Sequence, residues 1–205
     1  MSLLRTLLAS VVLLLVGGAA LGSATDRFHA FTTETARRIA VREHPVEIPA
    51  ELLETQSGTR IGLRDFLGKW LLVDFIYTRC PTYCLPLGAE FAQLQQRLAG
   101  PIAQGKVRLL SISFDPAHDT PDELAGYQRR FGDRGFGWLA ARPVTVDGLE
   151  TLERVFGLTV IPDRFGGYTH NAAIHVVDPR GRLVEILDTG HPELVAQSLQ
   201  RRLNR

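Results

Sequence analysis

The sequence predicts an α/β domain whose central sheet is flanked by helices on both faces. Short apolar, β-branched runs of strand length supply the sheet. Amphipathic stretches of helical period lie between them, and cap or turn residues mark the joins. With 205 residues, 45% of them hydrophobic, the chain can hold one globular core and little beyond it once a targeting segment is set aside.

The first element is such a segment. Met1-Ser-Leu-Leu-Arg5 is followed by nineteen uncharged residues, Thr6 to Ala24, before the first acidic residue at Asp26. A basic start, an apolar centre over Leu7 to Val16 and a small-residue end at Gly22-Ser23-Ala24 have the form of a cleavable signal peptide. At roughly 1.5 Å per residue the same run also nearly spans a ~30 Å hydrocarbon core, so cleavage and retention as an anchor both stay open. Either way the body of the chain is expected outside the cytoplasm. From Thr25 to Pro49 the sequence is polar and mixed, and His44-Pro45 and Ile48-Pro49 break any long helix, so this stretch reads as a tether and an entry segment.

A β-like piece at Gly58 to Leu63 precedes Trp70-Leu-Leu-Val-Asp-Phe-Ile-Tyr77, an apolar run that suits a buried central strand. Pro86 to Leu98 then places Leu87, Phe91, Leu94 and Leu98 at helical spacing, closed by Gly100-Pro101. Val107 to Phe114 is a second buried strand. Thr120-Pro121-Asp122-Glu123 predicts a helix with Thr120 as its N-cap, ending near Phe131-Gly132. A further helix is expected from Val146 to Phe156, a strand over Ala172 to Asp178, and its hairpin partner over Leu183 to Leu187. A last helix runs from His191-Pro192 to about Leu203.

The net charge of +1, with Arg and Lys scattered among Asp and Glu, argues against nucleic acid as a partner. Only two cysteines occur, Cys80 and Cys84, too few for a disulfide-built scaffold. They follow the first central strand and precede a helix, at the carboxyl end where open α/β sheets place their ligands. If the helix begins inside the motif, both sulfurs share one face, close enough for a common metal ion or for a disulfide. Free N–H groups and the helix dipole there favour the thiolate, which serves either chemistry. Ordinary core cysteines or a purely structural disulfide are the plainer alternatives.

The surrounding phrases narrow the choice. Phe75-Ile-Tyr-Thr-Arg-Cys-Pro-Thr-Tyr-Cys84 is followed by Ser111-Ile-Ser-Phe-Asp115-Pro116, by Asp119-Thr-Pro121 and by Tyr168-Thr-His170-Asn171. In this order they resemble the Sco/SenC family, over about residues 46 to 204. The resemblance implies a thioredoxin-like fold. It also implies that Cys80, Cys84 and His170 together bind one copper ion, as Cu(I), Cu(II) or both, and that the protein serves assembly of the dinuclear copper centre of cytochrome c oxidase. The expected partners are a copper donor protein and the copper-site subunit of the oxidase, with the membrane contacted through the N-terminus. The expected location is the periplasm, either anchored on the inner membrane or soluble after cleavage. The corresponding division is residues 1–24 as signal or anchor, 25–45 as tether and 46–205 as the thioredoxin-like copper-binding domain. The runner-up activity is that of a thiol-disulfide oxidoreductase, in which Cys80 and Cys84 form a redox pair and reduce a partner's copper-site cysteines without carrying metal.

Residue chemistry agrees with copper: two soft thiolates hold Cu(I), and an imidazole with an oxygen or water approaches the geometry of Cu(II). His170 is selected because it lies in a Gly166-Gly167 loop just before a strong strand, and in the thioredoxin-like sheet that the resemblance implies this loop faces the cysteine turn. His118 reads as a loop residue, His175 as a packing residue, and His29 and His44 as part of the tether. The family often has Asp before this histidine and Ser or Thr after it. Thr169 and Asn171 stand here, a departure that bears on the hydrogen bonds around the ligand. Asp115 reads equally as a residue near the metal and as an Asx-type turn before Pro116.

Overall fold

The computed structural model describes residues 2–24, 32–79, 84–132, 136–164 and 166–204. It divides into two compact units, Met1–His44 and Pro45–Arg205. In the first, helix α1 covers Ser2–Ala24 and exposes large apolar side chains along its length, among them Leu7, Val11, Leu14 and Leu15. Among the described residues no helix is long and apolar enough to cross a membrane. The signal-or-anchor expectation therefore rests on sequence alone.

Part of the expected tether is helical: α2 spans Thr33–Glu43. Thr32 caps it by accepting from the Thr35 N–H at 3.1 Å, and Glu34 pairs with Arg37 and Arg38 at 3.1 and 2.9 Å. Such caps and pairs at helical spacing lend a polar sequence local stability. The helix ends at His44, just ahead of Pro45.

The second unit is built on an eight-stranded sheet. The strands of this unit in chain order are β1 (Val46–Glu47), β2 (Leu52–Thr55), β3 (Arg60–Gly62), β4 (Trp70–Ile76), β5 (Val107–Ser113) and β6 (Trp138–Pro143). After them come β7 (Val160–Pro162), β8 (Tyr168–His170), β9 (Ile174–Val177) and β10 (Arg182–Leu187). The spatial order is β1-β10-β9-β4-β5-β6-β2-β3, while β7 and β8 form a separate two-stranded ribbon. Strands β4, β5 and β6 run parallel, with Trp70 to Ile76 opposite Val107 to Ser113 rung by rung. Strand β9 is antiparallel to β4, and β10 is antiparallel to β9.

Parallel neighbours need crossovers, and helices supply them. Helix α3 (Cys84–Arg97) and the short α4 (Ala99–Ala103) join β4 to β5, and α5 (Pro121–Arg130) joins β5 to β6. Helix α6 (Val146–Phe156) follows β6, and α7 (Pro192–Leu203) ends the fold and packs on α3. Phe91 of α3 and Tyr127 of α5 meet Trp138 of β6 on one face, with centroids 5.9 and 6.3 Å away. Phe156 of α6 meets Phe75 of β4 at 5.3 Å. Because successive strand residues point to opposite faces, β4 sends Asp74 and Phe75 to different layers and is buried on both.

Helix α6 spans the expected residues, and α5 begins at Pro121 with Thr120 accepting from the Glu123 N–H, as its sequence predicts. His175 is the packing residue anticipated: it is buried, its Nε2 lies 3.1 Å from the Phe156 carbonyl, and Phe75 and Phe156 lie edge-on to it. Strands β1, β2 and β6 and the β7–β8 ribbon were not foreseen as elements.

Candidate metal centre

The parallel strands β4 and β5 end side by side, and the loops leaving them carry the first two motifs. Beyond Ile76 come Tyr77, Thr78 and Arg79. Residues 80–83 lie outside the described part of the chain, and Cys84 opens α3. The expected ligand Cys80 and the expected Cys80–Cys84 pairing therefore lie outside the described residues as well. Among the described residues no group of three potential metal ligands converges.

Two carboxylates from the β5 loop fasten the approach to Cys80. Asp119 is fully buried and receives the Thr78 N–H at 3.1 Å, the Thr78 hydroxyl at 2.6 Å and the Ser113 hydroxyl at 2.5 Å. Burial pushes its carboxyl above the ordinary range even though Ser113 and Thr78 favour the charged form. Asp115 is 4% exposed and takes Nη2 of Arg79 on one oxygen and Nδ1 of His118 on the other, both at 2.8 Å. Burial opposes its ionisation, but the hydrogen bonds from His118 and Arg79 outweigh it and hold the carboxyl below the ordinary range. The Asp-Pro-x-x-Asp-Thr-Pro stretch is thus a clasp on Thr78 and Arg79. Sequence alone left Asp115 divided between a turn and a site role, and the structure gives it hydrogen bonds to Arg79 and His118. His118 is a half-exposed loop residue that completes the clasp.

The third motif arrives on the ribbon. Strand β8 pairs with β7 so that His170 lies opposite Val160. The turn between them is closed by Asp163, whose carboxylate accepts from the Gly167 N–H at 2.8 Å. A side chain at Gly167 would meet that carboxylate at 2.8 Å and the Tyr77 hydroxyl at 3.2 Å, so it would have to displace the Asp163 carboxylate. Tyr168 and His170 face the main sheet. Tyr168 lies edge-on to Tyr77 at 5.3 Å, and the His170 ring lies 4.9 Å from Phe114 and 6.4 Å from Tyr77. Tyr77 is three residues before Cys80, so these contacts bring the imidazole to the strand end that carries the cysteine motif.

The His170 imidazole is prepared as a neutral donor. Burial pulls its pKa below the ordinary value. Nδ1 lies 3.3 Å from the Asn171 carbonyl, which selects the tautomer with a proton on Nδ1. Nε2 is buried and has no hydrogen-bond partner among the described residues. A buried ring nitrogen with its lone pair free is what a metal ion would complete. Asn171 takes no part through its side chain, which accepts from the Thr159 N–H at 2.7 Å and donates to the Gly157 carbonyl at 2.9 Å. The departure at this position therefore anchors the start of the ribbon, and the hydrogen bond to the His170 ring comes from backbone.

The SCO1/SenC family model matches residues 45–204. The chain belongs to the SCO1/SenC family. The "SCO1 protein homolog" of Bacillus subtilis is 25% identical over 141 residues, covering 68% of this chain and 72% of that relative. The human mitochondrial SCO1 homolog is 27% identical over 135 residues, covering 65% of this chain but only 44% of its own length. Among solved structures, Bradyrhizobium japonicum ScoI with copper bound has a TM-score of 0.63 and 25% identity, covering 76% of this chain and 98% of that one. The structure of BsSco, described as a member of the Sco family of cytochrome c oxidase assembly proteins with a disulfide switch, has a TM-score of 0.65. At 22% identity over 77% of this chain and 94% of that one, its likeness is one of fold. These neighbours bear out the thioredoxin-like fold that the resemblance implied.

Proposed function

We propose that this SCO1/SenC protein is a copper metallochaperone that binds one copper ion through Cys80, Cys84 and His170. It would receive the ion from a copper donor protein and deliver it to the copper-site subunit of cytochrome c oxidase. The observation that carries this reading is the buried Nε2 of His170, which has no partner among the described residues. A nitrogen so placed costs stability unless something completes it, and its ring lies beside Tyr77, three residues before Cys80 in the sequence. Two thiolates suit Cu(I), and the imidazole extends the set toward Cu(II). The copper-bound relative supports the choice of metal, and family membership supports the oxidase as destination. The cysteines would cycle between dithiol and disulfide as copper leaves or as the partner is reduced.

The same reading places residues 46–205 outside the cytoplasm, on the periplasmic side of the inner membrane or free in the periplasm. The apolar N-terminal segment would direct export, and residues 25–45 would link it to the copper-binding domain. The test is copper titration of the reduced full chain in detergent, followed by absorption, with His170→Ala as comparison. Cu(II) affinity should fall at least about tenfold in the variant while Cu(I) stays bound by the sulfurs. A variant with unchanged Cu(II) binding and full oxidase assembly would favour the thiol-disulfide oxidoreductase, which needs the two sulfurs and not the imidazole.

A further inference from the structure

A metal-binding histidine is ordinarily oriented by a strong hydrogen bond from its second ring nitrogen. His170 has little of that kind. Its Nδ1 reaches the carbonyl of the adjacent residue Asn171 at 3.3 Å, and its Nε2 has no partner among the described residues. The torsion that turns an imidazole has broad, roughly two-fold wells, so rotamer preference does not choose the direction of Nε2 either. Ring packing does. The Phe114 centroid lies 4.9 Å from the imidazole at an interplanar angle of 57°, and Tyr77 stands farther off at 6.4 Å and 81°. Phe114 also meets Tyr77 at 5.2 Å and Tyr168 at 5.6 Å. Its own place is fixed, because it is 4% exposed, directly follows β5, and donates its N–H to the Ile76 carbonyl at 3.0 Å. A ring tied to the ends of both β4 and β5 thus stands against the imidazole that β8 presents.

We infer that Phe114 is a positioning residue whose ring sets the direction in which His170 presents Nε2. This rests on the copper reading above and names what orients the imidazole within it. Phe114→Leu fills part of the space but offers no flat face, so the imidazole is free to turn and Nδ1 to leave the Asn171 carbonyl. Cu(I) can be held by two sulfurs alone, whereas Cu(II) needs the imidazole at a defined place in a tetragonal set. Loss of the ring should therefore be felt by Cu(II) and hardly by Cu(I).

The experiment uses the full chain in detergent, reduced, and compares the parent with Phe114→Leu. Phe66→Leu is the control, since it removes a buried ring ahead of β4, at the other end of that strand from Tyr77. In the copper-free chain at about pH 8, where an ordinary imidazole is neutral, nitrogen-15 NMR reads which ring nitrogen of His170 carries the proton. The parent should hold it on Nδ1, and Phe114→Leu should show a mixture of the two tautomers. After loading, Cu(II) is followed by absorption and electron paramagnetic resonance, and Cu(I) by competition with a chromogenic chelator. Phe114→Leu should weaken Cu(II) about 10- to 100-fold, the range for residues that orient a metal ligand, and should shift both spectra. Its Cu(I) affinity should stay within about threefold of the parent on two-sulfur ligation. Phe66→Leu should keep the parent's tautomer and spectra. Where Phe114→Leu fails to fold, Phe114→Met, an unbranched side chain that fills irregular gaps, takes its place. An unchanged tautomer or unchanged Cu(II) spectra overturn the inference, and so does an equal effect from Phe66→Leu or an equal loss of Cu(I) and Cu(II), which mark general loosening. A parent chain that binds no copper overturns the proposed function itself, and the tautomer comparison in the copper-free chain then decides the role of Phe114 separately.

Discussion

Asp74 shows how much of this molecule is decided by single side chains. It lies in the middle of β4 with no exposed surface, and burial pushes its carboxyl well above the ordinary range. Ser111 opposes that shift, and the charge of Glu90 adds to it. Folding therefore favours the protonated acid. That contribution is complete below the unfolded carboxyl's value near 4, and it is lost as pH rises from there toward the raised folded value. Asp74→Asn keeps the shape and removes the titration. Urea unfolding of parent and variant between about pH 4 and pH 8 should show the parent losing stability relative to the variant as pH increases. Parallel curves would contradict a protonated Asp74. At this scale His170 was legible as a candidate from its place before a strong strand and from the family phrase around it. The Arg79–Asp115 pair was not, because no spacing in a sequence reveals which guanidinium will meet a carboxylate 36 residues away.

At the scale of elements, legibility followed the strength of the local signal. Strands β4 and β5 are long, apolar and rich in β-branched residues, and α5 and α6 carry threonine caps, so pattern and structure agree. Strand β6 reads Trp-Leu-Ala-Ala-Arg-Pro, with alanines and a terminal proline that argue against a strand. It is a strand because β5 pairs with it and because Trp138 is buried, its indole N–H donating to Ser111 at 3.0 Å. The ribbon strands have three residues each, one ending in Pro162, too short for any periodicity to register. Where the local signal was strong, its removal should be measurable. Thr120→Ala deletes the α5 cap and should cost about 1 kcal/mol in chemical unfolding. Phe156→Ala empties the contact that α6 makes with Phe75 and His175, and should cost about 3–5 kcal/mol. A loss below about 1 kcal/mol at Phe156 would mean that the layer repacks without it.

For the whole molecule, the compact unit Pro45–Arg205 and the family match over residues 45–204 nearly coincide. A fragment of residues 45–205 should accordingly unfold in one cooperative transition, with the same copper stoichiometry as the full chain; a broad, non-cooperative melt would show that the first 44 residues are needed for the fold. Within that unit the ribbon carries His170, yet it shares no rung with the eight-stranded sheet and meets its edge through ring contacts with Tyr77 and Phe114 and the Tyr168 N–H donating to the Tyr77 hydroxyl at 3.4 Å. Strand pairing in the sheet is therefore no obstacle to its lifting. The amide protons of residues 160–162 and 168–170 should exchange with solvent well before those of β4, and the lifetime of a bound ion would follow that opening rate while the sheet stays closed.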